Sequence, residues 1–367
     1  MQVNLLDLSA QYAGLKEDIL AEISQIMETN QYILGPAVSQ IETMMQDFNE
    51  CRHAIGCASG TDALVLALQA LEIGTDDEVI TTPFTFFASA SAIHRVGAKT
   101  VFADIKPDTF NLDPEKLEAA ITPATKAIVV VHLFGQPAEM DKIMQIADKH
   151  KLKVIEDNAQ GIGARYDGKV AGTFGDIGTL SFFPSKNLGC MGDGGMCLTN
   201  NAELADRLQQ LRVHGEKPKY FHQWVGLNSR LDSIQAAVLQ VKLPLLDGWS
   251  KSRRRNANYY FQQLADLPQI TLPQIHPQAE SIFNQFTILA ESRDELQKFL
   301  QAQQIGCAIY YPLPLHLQEC FSYLGYAEGD FPVAEKTAKS VLSIPIYPEL
   351  SRKQQDYVIE KIRDFYK

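Results

Sequence analysis

Short apolar runs alternate with segments of helical apolar spacing between residues 54 and 200. The runs are AIGC, EVITT, TVFAD, AIVVVHLF, KVIED, GTLSFF and GMCLTN. Several are apolar without interruption, which is typical of parallel strands covered by helices on both faces. Helices are predicted between them over residues 61–71, 86–96, 113–121 and 139–150. The pattern therefore predicts a doubly wound α/β domain.

The two ends of the chain follow other patterns. Residues 12–30 and 37–49 have the apolar spacing of amphipathic helices. After residue 244, helices are predicted over 250–267, 293–303, 332–342 and 351–366, and strands at QITLP, IFNQFTIL, GCAIYY and SIPI. The last helix begins with Ser351 and Gln354 at the spacing of a capping box. We expect a large domain over residues 1–245, a smaller α+β domain over 246–367, and the first 35 or so residues packed toward the smaller one.

Composition narrows the possible partners. With 46% hydrophobic and 21% charged residues, the 367-residue chain can bury a large core. Its net charge of -11 argues against binding to nucleic acid or to an anionic membrane surface, because both are negative. No secretory signal or spanning stretch is apparent, so we expect a cytoplasmic protein. The six cysteines show no CxxC spacing, so neither a metal site nor a disulfide framework is expected.

Candidate chemistry centres on Lys186, which lies on a glycine-rich loop between the sixth and seventh predicted strands. A lone lysine is more often a solvated surface charge. Two further stretches favour a site, because strand ends and helix starts are where open α/β sheets bind ligands. Asp157 ends the strand KVIED, although it could instead cap a helix. Gly60 and Thr61 begin a helix whose free N–H groups could bind an anion.

Six motifs, in order, carry a resemblance to a known family. SGTDAL, EDNAQ, SFFPSK, GDGG, NSRLD and YYPLPLH resemble motifs of the sugar aminotransferases of the DegT/DnrJ/EryC1/StrS family. The resemblance covers residues 31–350 and implies the type I fold of pyridoxal-phosphate-dependent transferases. That fold has a mainly parallel seven-stranded sheet flanked by helices and a smaller α+β C-terminal domain. It also implies pyridoxal 5'-phosphate as cofactor and a homodimer with shared active sites.

The resemblance implies roles for individual residues. The cofactor-binding set is Gly60, Thr61, Phe86, Asp157, Gln160, Ser181, Lys186 and Asn228. In the family, the lysine holds the cofactor and moves a proton, the aspartate contacts the pyridine nitrogen, and the glutamine contacts the ring hydroxyl. An aromatic residue stacks on the ring, although a phenylalanine here could also be core. The helix start and the serine hold the phosphate, which the asparagine reaches from the partner subunit.

The substrate side is implied less directly. Lys217 and Tyr220 lie in a basic and aromatic loop, residues 214–224, that would suit a nucleotide diphosphate or could be a solvated loop. His316 matches a family histidine near the sugar, and Tyr311 precedes it in the same motif; we expect both to contact the substrate. The implied reaction transfers an amino group from L-glutamate to a UDP- or dTDP-linked keto sugar, with carbon 3 favoured and carbon 4 open. The alternatives are a sugar dehydratase, which has histidine in place of the lysine, and a non-catalytic regulatory protein.

Overall fold

The computed structural model describes all 367 residues. The strands are β1 (His53–Cys57), β2 (Glu78–Thr81), β3 (Lys99–Phe102), β4 (Thr125–Val131), β5 (Lys153–Asp157), β6 (Arg165–Tyr166), β7 (Lys169–Val170), β8 (Ile177–Ser181), β9 (Gly195–Thr199), β10 (Ile270–Thr271), β11 (Ala279–Glu280), β12 (Phe286–Ala290) and β13 (Val341–Ile344).

Helices alternate with the strands from β1 to β5, three helices precede β1, and the other helices follow β9. The helices are α1 (Leu8–Ala13), α2 (Lys16–Thr29), α3 (Pro36–Asn49), α4 (Gly60–Ala70), α5 (Ala88–Arg95), α6 (Pro114–Ala119), α7 (Met140–His150), α8 (Ala202–Leu211), α9 (Ser233–Lys242), α10 (Leu246–Leu264), α11 (Arg293–Ala302), α12 (Pro332–Ser340) and α13 (Arg352–Phe365).

Seven strands form the central sheet, in the order β1-β9-β8-β5-β4-β2-β3. β9 is antiparallel to both of its neighbours, and the remaining pairs are parallel. Every residue of β4 except Thr125 and Lys126 is buried and apolar, as a strand covered on both faces requires. The predicted α/β fold with a mainly parallel seven-stranded sheet is confirmed.

The C-terminal part contains a second, antiparallel sheet of three strands, β10-β12-β13. Its buried side chains form a separate hydrophobic cluster that includes Tyr260, Phe286 and Val358. The final helix begins with the expected capping box, in which Ser351 and Gln354 bond to each other's backbone N–H groups. The division of the chain at residue 245 stays a prediction.

Two segments differ from the sequence-based expectations. The predicted strand GCAIYY is wrong, because only Ala308 pairs, in an isolated bridge with Ser343, before the chain carries Tyr310 and Tyr311 to a cavity. The strand predicted at IFNQFTIL begins only at Phe286, since residues 284 and 285 also lie at cavities. Helices α8 and α9 and the small sheet β11-β6-β7 were not predicted.

The first residues run beside the second sheet. Val3 forms a parallel bridge with Ile305 and is buried in the C-terminal cluster. The following helix α2 packs instead against α9. None of the helices combines the length and the apolar composition needed to cross a membrane.

Candidate active site

A cavity of about 410 Å³ lies at the carboxyl ends of the parallel strands β4, β5 and β8. This is the edge at which open α/β sheets bind their ligands, because strand ends and helix starts meet there. Eight of the residues singled out in the sequence line this cavity. They are Gly60, Thr61, Phe86, Asp157, Gln160, Ser181, Lys186 and Tyr311.

Lys186 lies on the loop between β8 and β9. The loop leaves the sheet at Pro184, and the Lys186 N–H donates to the Phe183 carbonyl at 2.9 Å, which closes a tight turn. Gly189 closes the other side, where a Cβ atom would lie 2.4 Å from the Pro184 carbonyl oxygen. Burial lowers the pKa of Lys186 to about 8, although the negative charge of Asp157 acts in the opposite direction. A larger fraction of the amine is therefore neutral near physiological pH than in an exposed lysine.

Asp157 is the last residue of β5, and its side chain is buried. Its Oδ2 accepts a hydrogen bond from Ser89 Oγ at 2.7 Å, and its Oδ1 accepts one from the Ala159 N–H at 3.3 Å. Ser89 Oγ lies 3.2 Å from Thr85 Oγ1, which extends the network behind the carboxylate. Burial raises the pKa of Asp157, while these donors and the charge of Lys186 oppose the rise. The network fixes the direction in which the carboxylate faces.

Glu156 precedes Asp157 and points to the opposite face of the strand. It accepts hydrogen bonds from the backbone N–H groups of Gly172, Phe174 and Gly175 at 2.6 to 2.8 Å and from His132 Nε2 at 2.9 Å. Burial alone would raise the pKa of Glu156, but the His132 and backbone donors hold it below its usual value. These contacts anchor the end of β5 to the following loop, and hence hold Asp157 in place.

The start of α4 forms the turn expected to bind phosphate. Ser59 caps the helix by accepting from the Asp62 N–H at 3.1 Å, so the N–H groups of Gly60 and Thr61 are left without intrahelical partners. Only glycine fits at position 60, because a Cβ atom there would lie 2.6 Å from Ser181 Cβ. The turn and the end of β8 therefore meet in one corner of the cavity, and its free N–H groups are the donors that an anion would need.

The three neighbouring phenylalanines occupy different environments. Phe84 is fully buried in the core, and Phe87 packs on Phe321 with ring centroids 5.4 Å apart. Phe86 lines the cavity, is 56% exposed, and lies 6.3 Å from Tyr311 between ring centroids. Of the three, Phe86 therefore has the ring that is accessible to a flat ligand.

Gln160 connects the cavity wall to the C-terminal part of the chain. Its Oε1 accepts from the Phe134 N–H at 2.7 Å, and its Nε2 donates to the Tyr311 hydroxyl at 3.1 Å. Burial raises the pKa of Tyr311, so its hydroxyl stays protonated and remains a hydrogen-bond donor. Tyr311 thus reaches the cavity from a segment more than 150 residues away in sequence.

Four expected residues lie outside this cavity. Asn228 is exposed, Tyr220 is 77% exposed, and Lys217 forms an ion pair with Asp206 at the surface. His316 is buried elsewhere, with its Nε2 3.1 Å from Glu335 and its ring against Phe331. These positions leave Lys186 as the only cation among the residues that line the cavity.

Several residues that line or support the cavity are not predicted from the sequence, among them Ser89, Gln285 and Tyr310. Ser89 is fully buried, but it lies in a short helix of mixed apolar and polar residues, so its sequence does not distinguish it from the other serine there. Gln285 and Tyr310 lie in the segments IFNQFTIL and GCAIYY. The apolar pattern of these segments predicts strands, and it does not indicate that either residue contacts the cavity. Only tertiary structure brings these segments to Lys186.

The corner at Gly60, the amine of Lys186 and the carboxylate of Asp157 fit the phosphate, the aldehyde and the pyridine nitrogen of one flat cofactor. With the type I fold around them, they define a pyridoxal-phosphate-dependent transferase. The chain belongs to the DegT/DnrJ/EryC1/StrS aminotransferase family, whose model matches residues 14–363. Pyridoxal phosphate is the cofactor of this family, and the residues present fit it.

Similar proteins cover almost the whole chain. A protein of Geobacillus stearothermophilus named as a pleiotropic regulatory protein is 52% identical over 100% of this chain and 99% of its own. A UDP-N-acetyl-3-dehydro-alpha-D-glucosamine 3-aminotransferase of Acidithiobacillus ferrooxidans is 46% identical over 98% and 97%. The crystal structure of S. venezuelae DesV in complex with a ketimine intermediate is 43% identical, with a TM-score of 0.97 over 99% of this chain and 98% of that one. The protein is an aminotransferase of this family.

Proposed function

We propose that this aminotransferase moves the amino group of L-glutamate to carbon 3 of a keto sugar linked to UDP or dTDP. The single observation that carries the proposal is that Lys186, with its lowered pKa, and the buried Asp157 face the same cavity. The choice of sugar and of carbon 3 is supported by the relative that is named as a UDP-sugar 3-aminotransferase. The product would be an amino sugar for glycan or polysaccharide synthesis.

The chain's own residues supply binding, orientation and proton transfer. Bound pyridoxal phosphate would supply an electron sink for the carbon that loses a proton. The Asp157 carboxylate, aimed by Ser89, would keep the pyridine nitrogen protonated. Lys186, as a neutral amine, would take the proton from the substrate carbon and deliver it to the carbon on the other side of the transferred nitrogen. The start of α4 and Ser181 would hold the phosphate.

The cavity contains no second cation, and this supports the homodimer that we propose. A nucleotide diphosphate and the two carboxylates of glutamate need positive partners, and this chain lines its cavity with Lys186 alone. Lys217, Tyr220 and Asn228 lie on an exposed segment that also presents Val225, 93% exposed. We infer a homodimer in which this segment completes the partner's site. The same proposal places the enzyme in the cytoplasm, with the nucleotide sugars and glutamate that it would use.

The alternatives find less support. A sugar dehydratase of this family has histidine in place of the lysine, and this chain has Lys186. A regulatory role is supported only by the name of the 52% identical relative, a pleiotropic regulatory protein. Against it, Lys186 is desolvated and lines a cavity together with a buried carboxylate, Asp157, which is the arrangement of a functional site.

A substrate panel tests the proposal. The purified protein with pyridoxal phosphate would be given L-[15N]glutamate and UDP- or dTDP-linked 3-keto and 4-keto sugars, and the labelled carbon would be located by NMR. We expect 15N at carbon 3 of at least one 3-keto sugar. Label only at carbon 4 would correct the regiochemistry, and no labelled product from any sugar would overturn the proposed function.

A further inference from the structure

Lys186 is the middle residue of a short closed segment, residues 183–189. The Cys190 N–H donates to the Phe182 carbonyl at 2.7 Å, and this hydrogen bond joins the two ends of the segment. Part of the segment faces solvent, since Phe183 is 52% exposed. The position of the Lys186 amine therefore depends on the contacts that hold this segment against the rest of the protein.

Helix α9 holds the C-terminal end of the segment. Lys242 is buried, and its Nζ donates to the Gly189 carbonyl. Gln235 binds the next turn of the chain, where its Oε1 accepts from the Met191 N–H at 2.8 Å and its Nε2 donates to the Met191 carbonyl at 3.3 Å. Positions 235 and 242 are about two helical turns apart, so the two side chains extend from the same face of α9.

The contact with Gly189 also affects the beginning of the segment. Gly189 lies so close to it that a Cβ atom would be 2.4 Å from the Pro184 carbonyl oxygen and 2.9 Å from the Phe183 carbonyl oxygen. Two parts of the chain packed at this distance cannot move independently. A shift of Gly189 is therefore transmitted to the turn that presents Lys186.

The partner of the buried Lys242 amine is this backbone carbonyl and not a counter-ion. Burial lowers the pKa of Lys242 to about 8, and no carboxylate is near enough to oppose the shift; only the Cys190 thiol does so. A lysine amine keeps N–H donors whether or not it is protonated, so the hydrogen bond to Gly189 persists on both sides of this pKa.

We propose that Lys242 and Gln235 are positioning residues for Lys186, and that they hold its amine where it meets the aldehyde of pyridoxal phosphate. Neither side chain lines the cavity, so each acts only through the segment that carries Lys186. The inference rests on the role proposed for Lys186, and it does not depend on which sugar is used. A misplacement of about 1 Å at a reacting group can slow a reaction about a hundredfold, so the loss of these contacts should change a rate.

The test follows the bonding of Lys186 to pyridoxal phosphate by absorbance, with cofactor-free protein and no sugar. Lys242→Met and Gln235→Met each introduce an unbranched side chain of similar length that cannot form these hydrogen bonds. The rate of bonding should fall about tenfold or more in both variants. Pyridoxamine phosphate has no aldehyde and cannot bond to Lys186, so its Kd, measured by calorimetry, should stay at the wild-type value. A merely structural role would weaken the binding of both compounds.

Gln240→Met is the matched control. Gln240 extends from another face of α9, and its Nε2 donates to the Ala37 carbonyl of α3 at 2.6 Å, so the variant removes a hydrogen bond of the same helix that does not reach the Lys186 segment. It should bond to pyridoxal phosphate at the wild-type rate. If Lys242→Met does not fold, Gln235→Met, whose side chain is only partly buried, decides the question.

Three results would overturn the inference. They are a wild-type rate in Gln235→Met or in folded Lys242→Met, an equal loss in Gln240→Met, and a weaker Kd for pyridoxamine phosphate that matches the loss of rate. Each of these leaves the proposed function intact. Undiminished bonding of pyridoxal phosphate to Lys186→Ala would instead overturn the role proposed for Lys186 itself.

Discussion

Lys186 and Asp157 share one cavity but respond to it in opposite directions. Burial disfavours the charged form of each side chain, so it lowers the pKa of Lys186 to about 8 and raises the pKa of Asp157. The attraction between the two charges moderates both shifts. The hydrogen bonds from Ser89 and Ala159 also oppose the rise in the pKa of Asp157, while the lowered pKa of Lys186 makes its amine a better base.

A first prediction at the residue scale concerns pH. Only the neutral amine of Lys186 can attack the aldehyde of pyridoxal phosphate, and the neutral fraction grows as the pH rises through the pKa of about 8. The rate at which the cofactor-free protein takes up pyridoxal phosphate should therefore rise with pH and level off above about pH 9. Stopped-flow absorbance measures this rate. A rate that still climbs steeply above pH 10 would mean that Lys186 titrates like an exposed lysine.

A second prediction concerns Ser89. Ser89→Ala removes the 2.7 Å hydrogen bond that aims the Asp157 carboxylate. A hydrogen bond to a charged group contributes about 1.5 to 3 kcal/mol, so kcat/KM should fall about tenfold to a hundredfold while the protein stays folded. Ser91→Ala is the control on the same helix, since the Ser91 hydroxyl bonds only to the Ala88 carbonyl, at 3.5 Å. Equal activity in the two variants would remove the role given to Ser89.

At the scale of elements, the site depends on how the ends of neighbouring strands are tied together. Glu156 joins the end of β5 to the loop at residues 172–175 through three backbone donors, and to the end of β4 through His132. The start of α4 meets the end of β8, where Gly60 contacts Ser181. Each functional residue is therefore placed by contacts between elements rather than by its own loop.

Glu156→Gln tests the hydrogen bonds that hold the end of β5 to the loop at residues 172–175. The change leaves His132 and the three backbone N–H groups facing a neutral amide inside the protein, where the loss of one partner of a buried pair is costly. We expect the free energy of unfolding in urea to fall by about 3 kcal/mol or more. Glu328→Gln, at an exposed ion pair with Lys339, should unfold like the wild type. Unchanged stability of Glu156→Gln would show that the loop is held by other contacts.

The elements of the sheet could be predicted from the sequence because each has a local signature. All seven central strands are short apolar runs, and Asp157 and Gly60 lie where those runs end. Ser89 and Gln285 could not be predicted in this way, since a serine within a helix or a glutamine within an apolar run has no local pattern that indicates a site. Their contacts depend on how α5 and the segment before β12 pack against the sheet.

At the scale of the whole molecule, the positive charge that the substrates need is not in the cavity of a single chain. Lys186 is the only cation that lines it, whereas Asn228, Lys217 and Tyr220 lie on an exposed segment outside it. The resemblance to the family assigns this segment to cofactor and substrate binding. Within a single chain, however, the segment does not contact the cavity. Similarly, His316 matched a motif near the sugar, yet its side chain is buried against Glu335.

Shared sites can be tested by complementation. Lys186→Ala should inactivate a chain's own site, and Asn228→Ala should weaken cofactor binding in the partner's site. Mixing the two variants under conditions that exchange subunits should restore about a quarter of the wild-type activity, because random pairing gives half heterodimers with one intact site each. A mixture that is no more active than its components would contradict the proposed sharing. Light scattering of the wild type would check the dimer separately.

The most direct test of the account is the first half of the reaction, which requires no knowledge of the sugar. Protein loaded with pyridoxal phosphate would be mixed with L-glutamate alone, and the 2-oxoglutarate formed would be counted per active site. We predict about one equivalent from the wild type, and none on the same timescale from Lys186→Ala or from Asp157→Asn. No 2-oxoglutarate from the loaded wild type, or the same yield from Lys186→Ala, would contradict the claim that these two residues perform the amino transfer.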